Sequence, residues 1–225
     1  MITILTLTYN GRHDSLKRTI DSVYEHTDTP FEYIVVDNDS NITTKKLLDE
    51  YQNDKKVKWI ELKTNEGVCA RNYGIEEAKG EIIVQIDDDV TVHKGWTDIL
   101  MNFVDPEIGC IGPDGSWFDG WKGNNMFNKR GIKPGDFCDF ITGFFMCFRN
   151  CGVRYDNVNF KFFWREESDL NIQIKQKGYR CKMTPMVVDH HSLRNGIDRT
   201  LLDANTKNLE KKWKDVPIQW ERFKQ

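Results

Sequence analysis

The 225 residues lack the features that would place this chain in a membrane or on nucleic acid. No stretch reaches the roughly 18 consecutive apolar residues that span a bilayer. The N-terminal MITILTLTYNG has neither a basic lead nor a small-residue cleavage site. The net charge of −3, from 32 lysines and arginines against 35 aspartates and glutamates, gives no overall basic field. We therefore expect a cytoplasmic protein without a transmembrane segment.

Motifs of several other protein classes are also missing. The six cysteines form no CxxC pair, and a chain of this length needs no disulfides, so we expect reduced thiols. Cys147 and Cys151 could hold a metal with two partners elsewhere, although packing in the core is the favoured interpretation. No GxGxxG motif follows the first apolar run, which argues against a Rossmann oxidoreductase. No glycine-rich signature followed by lysine is present there either, which argues against a sugar-nucleotide pyrophosphorylase.

Strand-like and helix-like segments alternate strictly through the first 92 residues. The strand-like runs are Ile2–Leu7, Phe31–Val36, Val57–Leu62 and Glu81–Ile86, and apolar residues recur at helical spacing between them. This alternation predicts an α/β fold with a mostly parallel central sheet flanked by helices.

The second half of the sequence is less regular. A long loop is predicted over 116–135, buried chain over Phe137–Phe148, a helix over Glu167–Lys177 and a strand over Cys181–Val188. A last helix carries Leu202, Leu209 and Trp213 on one face. No linker interrupts the sequence, so we expect a single domain over 1–225 with an internal division near residue 92.

Polar clusters follow three of the predicted strands. They are Thr8-Tyr9-Asn10, Asp37-Asn38-Asp39 and Asp87-Asp88-Asp89. Because ligands of open α/β sheets bind beyond the carboxyl ends of the strands, these clusters should meet at one edge. Three adjacent carboxylates repel one another unless a cation or hydrogen-bond donors lie nearby, which favours a divalent-metal site. A solvated acidic turn is the alternative.

Six motifs in order resemble a family 2 glycosyltransferase with the GT-A fold. They are TLTYN, FEYIVVDNDS, NEGVCARNYGIEEAKGEIIVQIDDD, ITGFFMCFR, WREESDLNIQIKQKGYR and VVDHHS, and together they extend to about Ser192. The resemblance implies a nucleotide-sugar-binding half over 1–92 and an acceptor-binding and catalytic-base half over 93–225, with Thr142-Gly143 in the acceptor-side loop.

The resemblance also implies a metal site at the acidic triplet, a DxD-type motif. Asp89 would bind the metal, Asp87 would contact the metal-bound water or the ribose, and Asp88 would be the variable middle position. His190 would complete the metal shell or contact the diphosphate. Oxygen ligands favour Mn²⁺ or Mg²⁺ over Zn²⁺. Asp88 is then the acid whose loss should cost least.

Recognition of the nucleotide would involve four residues by the same resemblance. Asp37 would accept a hydrogen bond from uracil, Thr8 and Tyr9 would form another wall of the base pocket, and Arg71 would lie near the base or diphosphate. The alternatives are an Asx turn at Asp37, ordinary packing of Tyr9, and a surface ion pair between Arg71 and Glu66.

The catalytic base would come from an acidic pair that opens a helix. Glu166-Glu167 match that pair, although the family usually has aspartate where this chain has Glu167, and Asp169 follows two residues later. All three are candidates, and Glu167 is preferred. Acidic side chains are also favoured at any helix N-terminus, which is the alternative interpretation.

We therefore expect an inverting, metal-dependent transfer of sugar from a UDP-sugar to an acceptor hydroxyl. The acceptor class is open: a glycan, protein, small molecule or modified nucleic-acid base. An inactive nucleotide-sugar-binding module of the same fold is the alternative. The segment 192–200, with Arg194 and Arg199, is a candidate lid ordered by the donor.

Overall fold

The computed structural model describes residues 1–10, 12–55, 57–160, 162–191 and 198–221. The α-helices are α1 (His13–His26), α2 (Ile42–Lys55), α3 (Arg71–Glu77), α4 (Glu166–Gln176) and α5 (Arg199–Trp213). Short 3₁₀ helices cover Val68–Ala70, Trp96–Val104 and Gly123–Asn125. The strands are β1 (Ile2–Thr8), β2 (Phe31–Asn38), β3 (Lys58–Leu62), β4 (Ile82–Ile86), β5 (Val90–Val92), β6 (Ile108–Gly112), β7 (Gly115–Phe118), β8 (Phe127–Asn128), β9 (Phe137–Cys138), β10 (Phe140–Ile141), β11 (Phe145–Arg149), β12 (Arg180–Met183) and β13 (Val188–His190).

A central sheet of eight strands organises the described residues, in the order β3-β2-β1-β4-β11-β6-β12-β9. The first four strands are parallel, as the alternation in the sequence predicts. β11 and β9 run antiparallel to their neighbours, and β12 is parallel to β6. The predicted α/β class with a mostly parallel sheet is confirmed, and strands from both sides of residue 92 share this sheet.

Both faces of the sheet are buried, which explains why its strands are continuously apolar. In β1, Ile4 packs in the cluster on the face of α1 and α2, whereas the adjacent Leu5 packs in the cluster that contains α3 and α4 residues. Successive strand residues point to opposite faces, so an apolar run supplies both layers. The sheet is therefore rigid, and its carboxyl edge is a fixed platform for polar side chains.

Two predictions for the second half need correction. Residues 116–135 are not one loop, because β7 and β8 pair there and β10 adds a third strand. Phe118 of β7 also stacks on Trp220 at a centroid distance of 4.0 Å, a contact between remote parts of the chain. The predicted strand over Cys181–Val188 is interrupted after Met183, since Pro185 cannot donate a sheet hydrogen bond. β12 and β13 consequently belong to different sheets.

Among the described residues, no helix combines the length and apolar character needed to cross a membrane.

Candidate active site

A cavity of about 720 Å³ opens at the carboxyl edge of the parallel strands. The site residues predicted from the sequence all line it except Asp37 and Asp169. Those that line it are Thr8, Tyr9, Arg71, Asp87, Asp88, Asp89, Glu166, Glu167 and His190. Thr142 and Gly143 of the predicted acceptor-side loop also line it. The strand order brings these residues together from across the sequence, and the volume falls in the range of small-molecule sites.

Each carboxylate of the acidic triplet contacts a cationic side chain of the protein. Asp87 accepts from Arg71 at 2.5 Å. Asp88 and Asp89 accept from Nη1 of Arg12 at 2.9 and 3.1 Å. The repulsion expected for three adjacent acids is thus offset in part by two arginines, and the solvated-turn alternative does not fit the buried carboxylates of Asp88 and Asp89.

Asp88 has a larger structural role than its middle position suggests. Its second carboxylate oxygen accepts from the Thr8 hydroxyl at 2.8 Å, and the residue is buried. Burial raises the pKa of Asp88 to about 7, although the nearby Arg12 opposes this shift. Removing Asp88 would take away the acceptor of the Thr8 hydroxyl and one of the two acceptors of Arg12, so these contacts weigh against the expectation that this acid is the cheapest to lose.

Asp87, Asp89 and His190 can converge on one metal ion, because their ligand atoms all lie within 4.8 Å of one another. β13 pairs with β5, which sets His190 opposite Val90, next to Asp89. Its imidazole stacks on Phe144 at a centroid distance of 4.5 Å. Two carboxylates and one imidazole suit Mn²⁺ or Mg²⁺, provided that water or ligand oxygens fill the remaining positions.

Arg71 is buried at the first turn of α3. Its ion-pair partner is not Glu66, the residue of the surface alternative. The guanidinium reaches Asp87, while Glu66 accepts instead from the hydroxyl of Tyr73. The ring of Tyr155 lies 6.0 Å from the Arg71 guanidinium carbon. The surface ion pair between Arg71 and Glu66 is therefore wrong.

The end of β2 closes with a turn around Asp37. One carboxylate oxygen accepts from the backbone N–H of Ser40 at 3.0 Å, which is the Asx-type turn considered from the sequence. Burial raises the pKa of Asp37, against the opposing effect of Ser40. Its neighbour Asn38 lines the cavity instead. Tyr9 also lines the cavity, and 45% of its surface is exposed. Asp37 thus lies beneath the wall of the cavity.

The acidic pair Glu166-Glu167 also lines the cavity, where α4 begins. Glu166 is buried, and its burial together with repulsion from Glu167 holds its pKa well above the ordinary range. Glu167 packs close to Gly143, since a Cβ at Gly143 would lie 3.5 Å from the Glu167 Cβ. Glu166 is therefore buried, whereas Glu167 lies beside the acceptor-side loop that contains Gly143.

Asp169 lies outside the cavity lining and is occupied by other contacts. Its oxygens accept from the Trp213 indole N–H at 2.6 Å and from Gln173 at 2.7 Å. The Lys212 ammonium lies 2.8 Å from the same carboxylate. These partners fix Asp169 between α4 and α5, so we remove it from the candidate bases as a correction to the sequence-based set.

The chain before α4 is unusual in its backbone conformation. Phe162, Trp164 and Arg165 have φ values of 64°, 80° and 73°, which non-glycine residues rarely adopt. Gly67 makes room for this segment, because a Cβ there would lie 2.5 Å from the Phe162 Cα. Such strain concentrates at functional sites, where surrounding contacts must maintain it.

Several cavity residues escaped the sequence-based prediction. Gln85 donates to the Gly143 carbonyl at 2.5 Å and accepts from the Tyr155 hydroxyl, linking three walls of the cavity. A polar residue inside the apolar run IIVQI is the signal that could have found it. Arg12 carries no comparable signal. The predicted lid lies outside the described residues over 192–197, including Arg194, and Arg199 begins α5.

Solved structures define the class of fold. The chain superposes on GalNAc-T7, solved with UDP, GalNAc and Mn²⁺, with a TM-score of 0.78 and 20% identity over 96% of this chain and 48% of that one. A mannosyltransferase of Pyrobaculum calidifontis with GDP-Man and Mn²⁺ gives a TM-score of 0.61 and 21% identity, over 83% of this chain and 55% of that one. The fold is that of the GT-A glycosyltransferases.

The model of glycosyl transferase family 2 matches residues 3–159, and the chain belongs to that family. The poly(ribitol-phosphate) beta-N-acetylglucosaminyltransferase of Staphylococcus aureus is 32% identical over 34% of this chain and 14% of its own length. The glucosyl-dolichyl phosphate glucuronosyltransferase of Haloferax volcanii is 23% identical over 53% of this chain and 39% of its own. The chain thus matches less than half the length of these curated relatives.

Proposed function

We propose that this protein is an inverting, metal-dependent glycosyltransferase that moves a sugar from a UDP-sugar to an acceptor hydroxyl. The observation that carries the proposal is that two groups line one cavity. Asp87, Asp89 and His190 offer metal ligands there, and Glu166 and Glu167 offer carboxyl groups. A diphosphate bound at the first group and an acceptor hydroxyl at the second would suit the transfer of a sugar between them.

A divalent metal bound at the acidic wall would neutralise charge on the departing diphosphate. The protein itself supplies Arg71, whose buried guanidinium is held by Asp87 beside that position. Thr8 and Tyr9 form the neighbouring wall, where we place the nucleobase. Uracil in this pocket stays a proposal that rests on structural neighbours solved with UDP or UDP-GlcNAc.

We assign the base to Glu167. In-line displacement requires a carboxylate that takes the acceptor proton as the hydroxyl attacks the anomeric carbon. Burial and repulsion from Glu167 raise the pKa of Glu166 well above its usual range, and a protonated Glu166 cannot take the acceptor proton. Phe162, Phe163 and Trp164 line the same side of the cavity, where we place the acceptor.

Release of UDP from a panel of UDP-sugars, with Mn²⁺ and with chelator, tests the proposal. We expect turnover with metal only, and a loss of at least about 100-fold in kcat for Glu167→Gln and Asp89→Ala. Glu76→Gln, an exposed change on α3, is the control and should keep the wild-type rate.

A different result would favour the alternative function. Binding of UDP without turnover of any donor, with water or with a range of acceptors, would indicate a nucleotide-sugar-binding module. A full rate in Glu167→Gln would show that the base is another residue.

A further inference from the structure

One face of α5 follows the chain that leads to the acidic pair. Asn205, Asn208 and Lys212 are spaced three and four residues apart, so they project from the same side of the helix. Asn208 donates to the Asn159 carbonyl at 2.7 Å, and Lys212 contacts Asp156 at 2.7 Å. α5 thus contacts Asp156 and Asn159 on the chain that precedes the acidic pair.

Asn205 makes the contact nearest to the acidic pair. Its side-chain amide donates to the carbonyls of both Phe163 and Trp164, each at 3.0 Å. Only 2% of Asn205 is exposed, so these two carbonyls are bound within the protein. One amide therefore fixes two consecutive peptide groups, immediately before Arg165 and the start of α4.

Thr206 holds the next residue of the same loop. Its hydroxyl accepts from Nε of Arg165 at 2.9 Å, and both residues are buried. The Arg165 guanidinium lies over the ring of Phe127, 4.5 Å from its centroid. Arg165 is the residue from which α4 departs, and its backbone is left-handed. Its side chain is therefore anchored on two sides.

These contacts hold a loop whose backbone conformation is unfavourable. Three of the four residues 162–165 have positive φ angles, which non-glycine residues adopt only where surrounding contacts maintain them. A loop in this conformation relaxes unless its surroundings hold it. Since Glu166 and Glu167 follow directly, relaxation would turn their carboxyl groups relative to the cavity.

We propose that α5 is a clasp that fixes the 162–165 loop, and that Asn205 and Thr206 are positioning residues that aim Glu167 at the acceptor hydroxyl. The inference rests on the proposed function for its catalytic meaning. It concerns residues beyond the segment 3–159 that matches the family model. Asp169 supports the same role, because Lys212 and Trp213 of α5 bind it one turn into α4.

The test compares two asparagines on the same helix. Asn205→Ala removes the double contact to the loop, and Asn208→Ala removes an exposed contact farther from the acidic pair. Thr206→Val and Thr206→Ser form a second pair, in which only serine keeps the hydroxyl. The readouts are kcat for UDP release from the donor that the wild type hydrolyses fastest, the Kd of UDP with Mn²⁺, and cleavage by chymotrypsin after residues 162–164.

We expect Asn205→Ala and Thr206→Val to lower kcat at least about 10-fold while the Kd of UDP stays within about twofold, because the loop aims the base and does not bind the nucleotide. Asn208→Ala and Thr206→Ser should stay near the wild type. Equal kcat values for the two asparagine variants, or a parallel loss of kcat and UDP affinity in Asn205→Ala, would overturn the clasp.

Chymotrypsin separates this inference from the proposed function. If the wild type releases no UDP from any donor, the proposed function fails and the cleavage rates alone decide on the clasp. Faster cleavage after residues 162–164 in Asn205→Ala than in Asn208→Ala, under conditions where both remain folded, would support it. Equal cleavage rates would overturn it.

Discussion

Arg71 donates a hydrogen bond of 2.5 Å to the carboxylate of Asp87, and this contact ties the start of α3 to the end of β4. A cation at the first turn of a helix is disfavoured by the helix dipole. The half-buried carboxylate of Asp87 beside it offsets this unfavourable interaction. The acidic triplet and the arginine are thus parts of one electrostatic arrangement, although 16 positions separate Arg71 from Asp87.

Buried Arg71 and half-buried Asp87 should be strongly coupled. A double-mutant cycle with Arg71→Met and Asp87→Asn is expected to give a coupling energy of about 1–3 kcal/mol in urea unfolding, because the buried guanidinium loses its charged partner when Asp87 is changed. The exposed pair Lys58–Glu77, at 2.6 Å, is the control and should give about 0–0.5 kcal/mol. Equal coupling in the two cycles would contradict the role of burial.

Removing Arg12 should tighten the binding of a divalent metal. Its guanidinium is shared between Asp88 and Asp89 and so competes with a metal for Asp89. We expect Arg12→Met to bind Mn²⁺ about threefold to tenfold more tightly in the absence of nucleotide. The electron paramagnetic resonance signal of free Mn²⁺ measures this affinity. Arg18→Met, an exposed change on α1, should leave the affinity unchanged. Weaker binding in Arg12→Met would count against competition.

Glu166 should make stability depend on pH. Its folded-state pKa is raised by burial and by Glu167, so the folded protein keeps a proton that the unfolded chain releases. The free energy of unfolding therefore falls as pH rises from the ordinary glutamate pKa through the raised one. Glu166→Gln should reduce this slope, leaving the part that the raised pKa of Asp88 contributes, and should gain about 1 kcal/mol at pH 8. Urea unfolding from pH 5 to 8 measures the slope; an unchanged slope in Glu166→Gln would refute the prediction.

Gly67 should tolerate no side chain. Its φ is +72°, and a Cβ would lie 2.5 Å from the backbone of Phe162. We expect Gly67→Ala to cost at least about 3 kcal/mol, from the backbone angle and the clash together. Gly131, with φ +78° and open space around it, isolates the first contribution and should cost about 1–2 kcal/mol on change to alanine. A similar loss of stability for the two glycine changes would mean that the backbone of Phe162 shifts readily to accommodate the added Cβ.

The parallel half of the fold could be predicted because local patterns determine it. Buried parallel strands need continuous apolar runs, and helices between them need apolar residues at helical spacing, so β1 and α1 are visible in the sequence. β7, β8 and the interruption at Pro185 were not predicted. These elements depend on pairing between remote segments, for which a run of two to four residues carries no periodic signal.

The candidate site also contains some residues that the sequence could predict and others that it could not. Asp87 and Asp89 were predicted because three carboxylates follow a strand, and His190 because the resemblance to family 2 implies a ligand there; in the structure their ligand atoms lie within 4.8 Å of one another. Asp169 could not be separated from Glu166 and Glu167 by sequence, since all three lie in the first turn of α4. Only the packing of Lys212 and Trp213 shows that Asp169 faces away from the cavity.

The sequence by itself determined the strand–helix alternation, the acidic triplet after β4 and the membership of a family of sugar-transferring proteins, because each is written in contiguous residues. Tertiary structure decided the partners of the triplet, the burial of Glu166 and the contact of Asn205 with the loop before α4. Those features depend on distance and solvent exposure between segments far apart in the chain. Only packing sets these quantities, since they have no local sequence pattern.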